Sequence, residues 1–318
     1  MRHTDEAYAM MLLTLPLDPG GEGALRPLSA EEFSAVAGQL DLSGENSLGS
    51  LMGLDVAGVM RLLGTDEATA YRLCLLMDRD MQLSRLIDEC ADDQTEIVTP
   101  FDSAYPQGVK RRLGLYCSPA LFAKGNLELL QAPYLGILGI SGVQTTRRAR
   151  TGVRALVMRA AVNGLGIAAG DEMGACRAAR EEALRQDARL VCALTGGLQA
   201  FSRQAENAPA LLQGSMLLIS GAHPMSGAGT QDAARRNRVL FALSQAAFVI
   251  TTDGRRGEAE AARRGWCRHL YVYDDEAYPQ NASLASRGFV KVDDLESFSV
   301  ADRAEEWLRP DAEQLSFL

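Results

Sequence analysis

The chain has 318 residues, of which 47% are hydrophobic, with a mean hydropathy of −0.07 and a formal net charge of −9. Such a composition is typical of a soluble globular protein of about two domains. No apolar run approaches the roughly 20 residues of a membrane helix, and the N-terminus lacks the layout of a signal peptide, so we expect a cytoplasmic protein without a membrane partner. The 3 histidines and 6 cysteines lack metal-ligand spacing, which argues against a metal site and histidine-based catalysis and favours buried, reduced thiols.

Residues 1–95 carry the apolar spacing of helices and predict a small all-helical N-terminal domain. Helices are predicted at residues 7–15, 29–37, 55–63 and 67–90. Ser29 and Glu32 have the spacing of a capping box at the start of the second helix. The single glycines Gly53 and Gly64 faintly resemble helix-hairpin-helix turns, which usually have two glycines. We therefore interpret this segment as a packing module, with DNA contact as the alternative.

From residue 96 the pattern changes from helices to strands that alternate with helices. Strands are predicted at residues 97–99, 120–125, 134–140, 165–170, 189–194, 216–220, 248–252 and 269–273. Helices are predicted between the later strands, at residues 146–163, 173–186, 231–245 and 258–264. This alternation indicates a Rossmann-like α/β core over residues 96–296, a parallel sheet with helices on both faces. An acidic tail over residues 297–318 is predicted to follow it.

The charge is distributed unevenly between these segments. Residues 1–133 contain 10 Lys and Arg against 20 Asp and Glu, whereas residues 134–296 contain 20 against 16. All but one of the basic residues of the second segment are arginines, the exception being Lys291. Because guanidinium groups match phosphate geometry and stack on bases, this segment favours a nucleic-acid partner despite the acidic total. A solvated surface rich in arginine explains the composition equally well.

Small residues follow five strands of the predicted core, for example Gly139 and Gly170. Ligands of such sheets bind at the carboxyl ends of the strands, where glycine lets a phosphate approach the backbone N–H groups of a helix N-terminus. The five loops together therefore predict a phosphate-bearing ligand. Neither a G-x-G-x-x-G fingerprint nor a P-loop is present, so we expect no dinucleotide cofactor. No catalytic constellation is recognisable, which favours a binding protein over an enzyme.

The run from Arg235 to Ser244 is the most informative stretch of the chain. Arginines that open a helix add to the positive end of its dipole and attract an anion such as phosphate. Arg236, Asn237 and Arg238 with the residues after them also resemble the "R-N-R-hydrophobic-hydrophobic-x-x-L-S" signature of the DNA-processing protein A family (DprA, also called Smf). Members of that family bind single-stranded DNA on a Rossmann-like core.

The resemblance extends over roughly residues 96–295. Tyr105-Pro106 and residues 119–125 are similar to the entrance motif of the family. The glycine of the family's V-G-S-R loop is kept as Gly139, but Ser141 stands in place of its arginine. Further along, Cys176 and Arg180 stand where the family has Asp and His. This pattern implies the same fold with an altered ligand surface.

The resemblance implies a protein that binds single-stranded DNA and supports recombinase loading in DNA-mediated transformation, usually as a homodimer. The residues expected at the nucleic-acid interface combine the matched motif positions with arginines that compensate for the lost loop arginine. They are Gly139, Ser141, Arg147, Arg148, Gly170, Arg236, Asn237, Arg238, Arg255 and Arg256. For Arg147, Arg148, Arg255 and Arg256 the alternative is a solvated helix face. For Arg236 and Arg238 it is a buried ion-pair network.

Two other functions stay open at this point. The first is a nucleotide-binding, Rossmann-like sensor, with polar contacts from acidic residues near the strand ends. The candidates are Glu172, Asp253, Glu258 and Glu260. The second is a degenerate paralogue that acts through a DprA partner, which the substitutions at Ser141, Cys176 and Arg180 would explain.

The last residues of the chain carry a separate motif. Gln314-Leu315-Ser316-Phe317-Leu318 is similar to the Q-L-x-L-F peptide that docks bacterial proteins onto the replicative sliding clamp, with the last two residues exchanged. An exposed peptide that places apolar anchors in a groove is a common docking mode. Gln314, Leu315, Phe317 and Leu318 are therefore candidate clamp contacts, and the alternative is a tail packed on its own core.

Overall fold

A computed structural model describes residues 3–17, 25–42, 47–227 and 232–309. Within these ranges, five helices precede the sheet: α1 (Asp5–Thr14), α2 (Ala30–Leu42), α3 (Val56–Leu63), α4 (Glu67–Met77) and α5 (Asp80–Asp92). The region predicted as one helix over residues 67–90 is thus two helices. None of the helices in the described ranges is long and apolar enough to cross a membrane.

The predicted capping box at the start of α2 is confirmed. The Ser29 N–H donates to Glu32 Oε2 at 2.7 Å, and the Glu32 N–H donates to Ser29 Oγ at 3.2 Å. Arg72 of α4 donates from Nη1 to Glu32 Oε1 at 2.8 Å. The same carboxylate therefore caps one helix and ties it to another.

We expect Glu32 to make the stability of the helical region depend on pH. Hydrogen bonds from Arg72 and the Ser29 backbone lower the pKa of Glu32 from 4.5 to about 2. Because the pKa of Glu32 is lower in the folded than in the unfolded state, its ionised form stabilises the folded protein at pH values above 4.5. This contribution is lost as the pH falls from 4.5 towards 2. Because the Glu32 side chain is 35% exposed, solvent screening limits the contribution to about 1 kcal/mol.

Urea unfolding of the wild type and Arg72→Met at about pH 6 and about pH 3 measures this contribution. The wild type should lose more stability than the variant between the two conditions. Equal losses would contradict the role assigned to the Glu32–Arg72 pair.

The remaining elements, in chain order, form the sheet and its covering helices. They are β1 (Glu96–Val98), α6 (Gln107–Leu113), β2 (Leu121–Gly125), β3 (Tyr134–Leu138), α7 (Arg147–Val162), β4 (Gly166–Gly170), α8 (Ala175–Arg185), β5 (Leu190–Ala193), α9 (Gln199–Ser202), α10 (Ala208–Gln213), β6 (Met216–Ser220), α11 (Asp232–Leu243), β7 (Ser244–Val249), α12 (Glu258–Arg264), β8 (His269–Tyr273), α13 (Ala282–Ala285), β9 (Val290–Val292) and α14 (Ala301–Leu308).

The nine strands form one sheet in the order β1-β2-β6-β5-β4-β3-β7-β8-β9. Strands β3 to β9 are parallel, which confirms the predicted Rossmann-like α/β fold. Strands β1 and β2 instead pair antiparallel, so that β2 extends the sheet beyond β6. The strand order reverses at β3, which pairs with both β4 and β7. The crevice at the carboxyl ends of β3 and β7 is therefore the topological switch point, where such sheets bind ligands.

Both ends of the chain contribute to the apolar core on one face of the sheet. Met11 and Leu12 of α1 belong to the same buried cluster as the sheet residues Ile137 and Phe248. In the segment predicted as an acidic tail, α14 buries Trp307 against this face, with its ring 6.3 Å from that of Phe248. Apolar contact thus joins both flanking segments to the core, and the predicted domain boundaries stay predictions.

Candidate nucleic-acid interface

Five loops lie at the carboxyl ends of the parallel strands, and we call this side of the sheet the glycine-rich edge. Among the described residues, open glycines flank the crevice between β3 and β7, and Gly227 in the loop after β6 is open as well. A Cβ atom added at Gly142, after β3, or at Gly254, after β7, would have no atom within 4 Å. Both have positive φ angles, +90° and +72°. The backbone can therefore be approached closely at the switch point.

Three other glycines at this edge make room for protein atoms. Gly170 lies against the Arg236 guanidinium and the Glu172 carboxylate, and Gly197 lies against the carbonyl of Pro224. A Cβ atom at Gly221 would lie 2.7 Å from Ser118 Oγ. The prediction that Gly170 admits a phosphate is therefore not supported, because the space that the missing side chain leaves is already filled.

The loop after β3 is joined to the end of β7. The Ile140 N–H donates to Thr251 Oγ1 at 3.0 Å, and a Cβ atom at Gly139 would lie 3.1 Å from the same oxygen. Gly139 thus permits the two strand ends to approach each other. Ser141 follows at the surface and is exposed.

Arg236 lies in a buried ion-pair network rather than on the surface. Its side chain is 2% exposed and donates from Nη1 to Asp171 Oδ1 at 3.0 Å and to Glu172 Oε2 at 2.5 Å. Its Nη2 donates to Glu172 Oε1. Burial lowers the pKa of the guanidinium, but the hydrogen bonds and charge of Glu172 outweigh this, so the pKa lies above its ordinary value. Arg236 therefore has no surface to offer to a phosphate, and it joins α11 to the loop after β4.

Asn237 is also buried, at 2% exposure, and it holds the loop after β7. Its Nδ2 donates to the Arg256 carbonyl at 3.0 Å, and its Oδ1 accepts from Arg236 Nε at 2.9 Å. Glu258 supports the same loop by accepting from the Arg256 N–H at 2.9 Å and from Thr252 Oγ1 at 2.6 Å. The loop that carries Arg255 and Arg256 is thus fixed from the protein interior.

Arg238 packs against two aromatic rings and a carboxylate of α12. Its guanidinium lies 5.2 Å from the Tyr116 ring centre and 5.7 Å from that of Trp266. Glu260 lies 3.8 Å from its Nη2. The alternative interpretation of a protein-internal role therefore fits Arg238 as well as Arg236.

The other arginines at the edge differ in whether the protein already holds their side chains. Arg148 donates to the Asp293 carbonyl at 3.0 Å, Arg150 donates to the Thr145 carbonyl, and Arg256 lies 3.3 Å from Asp253 Oδ2. Among the residues that the structure describes, Arg147, Arg235 and Arg255 are exposed, and their side chains have neither an ion pair nor a hydrogen bond. We call these three the edge arginines. They lie in the helix starts or loops after β3, β6 and β7, on one edge of the sheet.

Arg235 was missing from the predicted site, and helical periodicity does not separate it from Arg236. Leu240, four residues after Arg236, is buried, and so is Val239, four residues after Arg235. The exposure of Arg235 and the burial of Arg236 are therefore decided by tertiary packing and not by periodicity.

Two of the three departures from the family pattern lie inside the protein. Burial raises the pKa of the Cys176 thiol to about 12, and its Sγ lies 3.5 Å from the Ile137 carbonyl. Arg180 is 8% exposed and donates to the carbonyls of Gly170 and Glu172. Arg180 thus supports the loop after β4, Cys176 packs against β3, and of the three substitutions only Ser141 changes the exposed surface.

We expect Gly170→Ala to destabilise the protein by about 3 kcal/mol, because the new methyl group would overlap the buried Arg236–Glu172 pair. Gly38→Ala is the matched control. Gly38 is an exposed residue of α2 with open space around it, so alanine should stabilise the helix by about 0.5–1 kcal/mol. Thermal unfolding of both variants measures the effects. A Gly170→Ala variant as stable as the control would contradict the packing described.

An open α/β sheet with arginines and accessible glycines at its switch point is typical of proteins that bind phosphate-bearing ligands at this position. The profile of the family described as DNA recombination-mediator protein A matches residues 96–288. The chain belongs to this family, which confirms the resemblance that the motifs indicate.

Solved structures of DNA processing protein A are similar to the chain. The X-ray structure from Streptococcus pneumoniae has a TM-score of 0.66 and 19% identity, with 94% of this chain and 99% of that chain covered. The protein from Helicobacter pylori, whose structure is described for its single-stranded DNA binding mode, has a TM-score of 0.49 and 19% identity, with 64% and 94% covered. No curated protein sequence matches the chain.

Proposed function

We propose that the protein binds single-stranded DNA at the glycine-rich edge of its sheet and acts as a recombination mediator rather than as an enzyme. The observation that carries this proposal is the presence of the edge arginines, Arg147, Arg235 and Arg255, whose guanidinium groups have no partner among the described residues. Guanidinium groups without carboxylate partners are free to bind phosphates. The family match over residues 96–288 supports DNA as the source of those phosphates.

Apolar side chains beside the edge favour a single strand over a duplex. Met173 follows β4 and is 55% exposed, and Met225 follows β6 and is 62% exposed. Flexible thioether side chains adapt to flat apolar surfaces, and unpaired bases present such surfaces whereas stacked duplex bases do not. We therefore propose that phosphates lie along the edge arginines and bases contact the methionines.

The buried network has a positioning role in this proposal. Arg236 and Asn237 join α11 to the loops after β4 and β7, and Arg255 is carried by the second of these loops. A rigid loop loses less conformational entropy when it binds a ligand. The R-N-R motif thus contributes to DNA binding by holding the edge in place.

The nucleotide-sensor alternative receives no support from the acidic residues proposed for it. Glu172 is paired with Arg236, Glu258 accepts from Thr252, and Glu260 accepts from Arg264 Nε at 2.9 Å. Asp253 accepts from the Arg255 N–H at 3.0 Å. All four carboxylates are therefore engaged within the protein.

Competition between strands tests the single-strand preference. A labelled oligo-dT bound to the protein should be displaced by unlabelled oligo-dT at lower concentration than by a duplex of equal length. Met173→Ser with Met225→Ser should reduce this preference, and Met81→Ser is the matched control because Met81 is 84% exposed on the N-terminal helix α5. Equal competition by the duplex would contradict the proposed base contacts.

Recombinase loading, homodimer formation and clamp docking complete the proposal, and they rest on the resemblance. Gln314, Leu315, Phe317 and Leu318 lie outside the described residues. The rate of recombinase filament formation on DNA coated with single-strand-binding protein tests the loading role. Addition of the protein should shorten the lag before filaments grow, and an unchanged lag would contradict a mediator function.

A further inference from the structure

A second group of arginines lines a groove at the opposite edge of the sheet. Its arginines come from α6, from the end of α12 and from the residues just before β8 and β9. They are Arg111, Arg112, Arg264, Arg268 and Arg287, and we call the site the arginine groove. Because parallel strands begin at one edge and end at the other, this groove lies across the sheet from the edge arginines. Its volume is about 710 Å³.

Two of these arginines have roles within the protein. Arg112 donates from Nη1 to the carbonyls of Ala242 and Ser244, at 3.0 and 3.1 Å, and so satisfies carbonyl groups at the end of α11. Arg264 donates to Glu260 Oε1 at 2.9 Å and to Tyr116 Oη at 2.7 Å. Their contacts account for their positions.

The positions of the other three arginines of the groove are not explained by contacts of this kind. Arg111, Arg268 and Arg287 are exposed, and their side chains form no ion pair or hydrogen bond with the described residues. Among the residues that the structure describes, the lining of the groove includes no acidic side chain. The like charges of Arg111, Arg268 and Arg287 repel each other when they are brought together. Their grouping favours an anionic ligand that spans several phosphates.

The floor of the groove permits close approach, and its described lining has no aromatic ring on which a base could stack. A Cβ atom at Gly265 or Gly288 would have no atom within 4 Å. Trp266 is 1% exposed, and Arg264 covers the Tyr116 ring at 4.3 Å. The charges and the open glycines therefore favour contact with the phosphates of a ligand.

We propose that the arginine groove binds the phosphate backbone of a second nucleic-acid segment, independently of the glycine-rich edge. One protomer then holds two segments on opposite edges of its sheet. The charges and the glycines of the groove carry this inference, which goes beyond the proposed function and does not depend on it.

Calorimetric titration with oligo-dT of about six nucleotides, short enough to fill one site at a time, counts the sites at low salt. The wild type should bind two equivalents per protomer. Arg111→Ala with Arg268→Ala and Arg287→Ala should reduce the count to one. The matched control is Arg26→Ala with Arg61→Ala and Arg85→Ala, which removes three exposed arginines from the N-terminal helical region and should leave two equivalents.

The outcomes separate this proposal from the preceding one. A groove variant that binds as many equivalents as the wild type overturns the second site, as does an equal loss in the control variant. If the wild type binds one equivalent and only the groove variant loses it, the arginine groove stands and the glycine-rich edge is overturned. Thermal unfolding midpoints equal to the wild type should accompany these surface substitutions.

Discussion

Replacing Arg236 with methionine is expected to destabilise the protein by about 3–5 kcal/mol, because it leaves the Glu172 and Asp171 carboxylates without their buried partner. The neighbouring Arg235→Met is the matched control. It removes the same charge one position earlier, from an exposed side chain without an ion pair, and should change stability by less than about 0.5 kcal/mol. Urea unfolding of the two variants measures the difference.

A second substitution shows whether the uncompensated carboxylate causes the loss. Glu172→Gln added to Arg236→Met removes one buried charge and should recover part of the lost stability. If Arg236→Met is as stable as Arg235→Met, the ion-pair network is not formed in solution. The positioning role of the R-N-R motif would then have no structural basis.

Removing the edge arginines is expected to weaken single-stranded DNA binding without unfolding the protein. Arg147→Ala with Arg235→Ala and Arg255→Ala deletes three phosphate contacts, so the slope of log K against log salt should become shallower by about 2. Binding isotherms at several salt concentrations give the slope. The variant of Arg26, Arg61 and Arg85 makes the same change in net charge elsewhere and should keep the wild-type slope. Equal slopes in all three proteins would contradict direct phosphate contact by the edge arginines.

The fold and the family were predictable because they depend on local patterns. Apolar runs of strand length separated by amphipathic helices gave the parallel core, and Thr146 begins α7 as an N-cap that accepts from the Ala149 N–H. Strand β9 escaped prediction since two of its three residues are exposed, including Val290, so an edge strand shows no apolar run. Helix α14 was not predicted because its charged residues gave the segment the composition of an acidic tail, although Trp307 marks its buried side.

The site was less predictable because distant side chains decide which strand ends are open. The sequence predicted that the loops containing Gly170 and Gly221 admit a phosphate, but Arg236 and Ser118 fill the space beside these glycines. Which side chain reaches a glycine depends on tertiary packing and not on the glycine's neighbours in the chain. The R-N-R motif misled in the same way, since its basic character suggests a surface, while the distant carboxylates of Asp171 and Glu172 hold Arg236 in the interior.

The most direct test of the account is the binding of a labelled oligo-dT strand, followed by fluorescence anisotropy at about 50 mM and about 200 mM salt. We predict submicromolar binding at the lower concentration that weakens steeply at the higher one, and that weakens further at both when Arg147, Arg235 and Arg255 are replaced. Absence of binding at low salt, or binding that salt does not change, would contradict the assignment of the glycine-rich edge as a single-stranded DNA site.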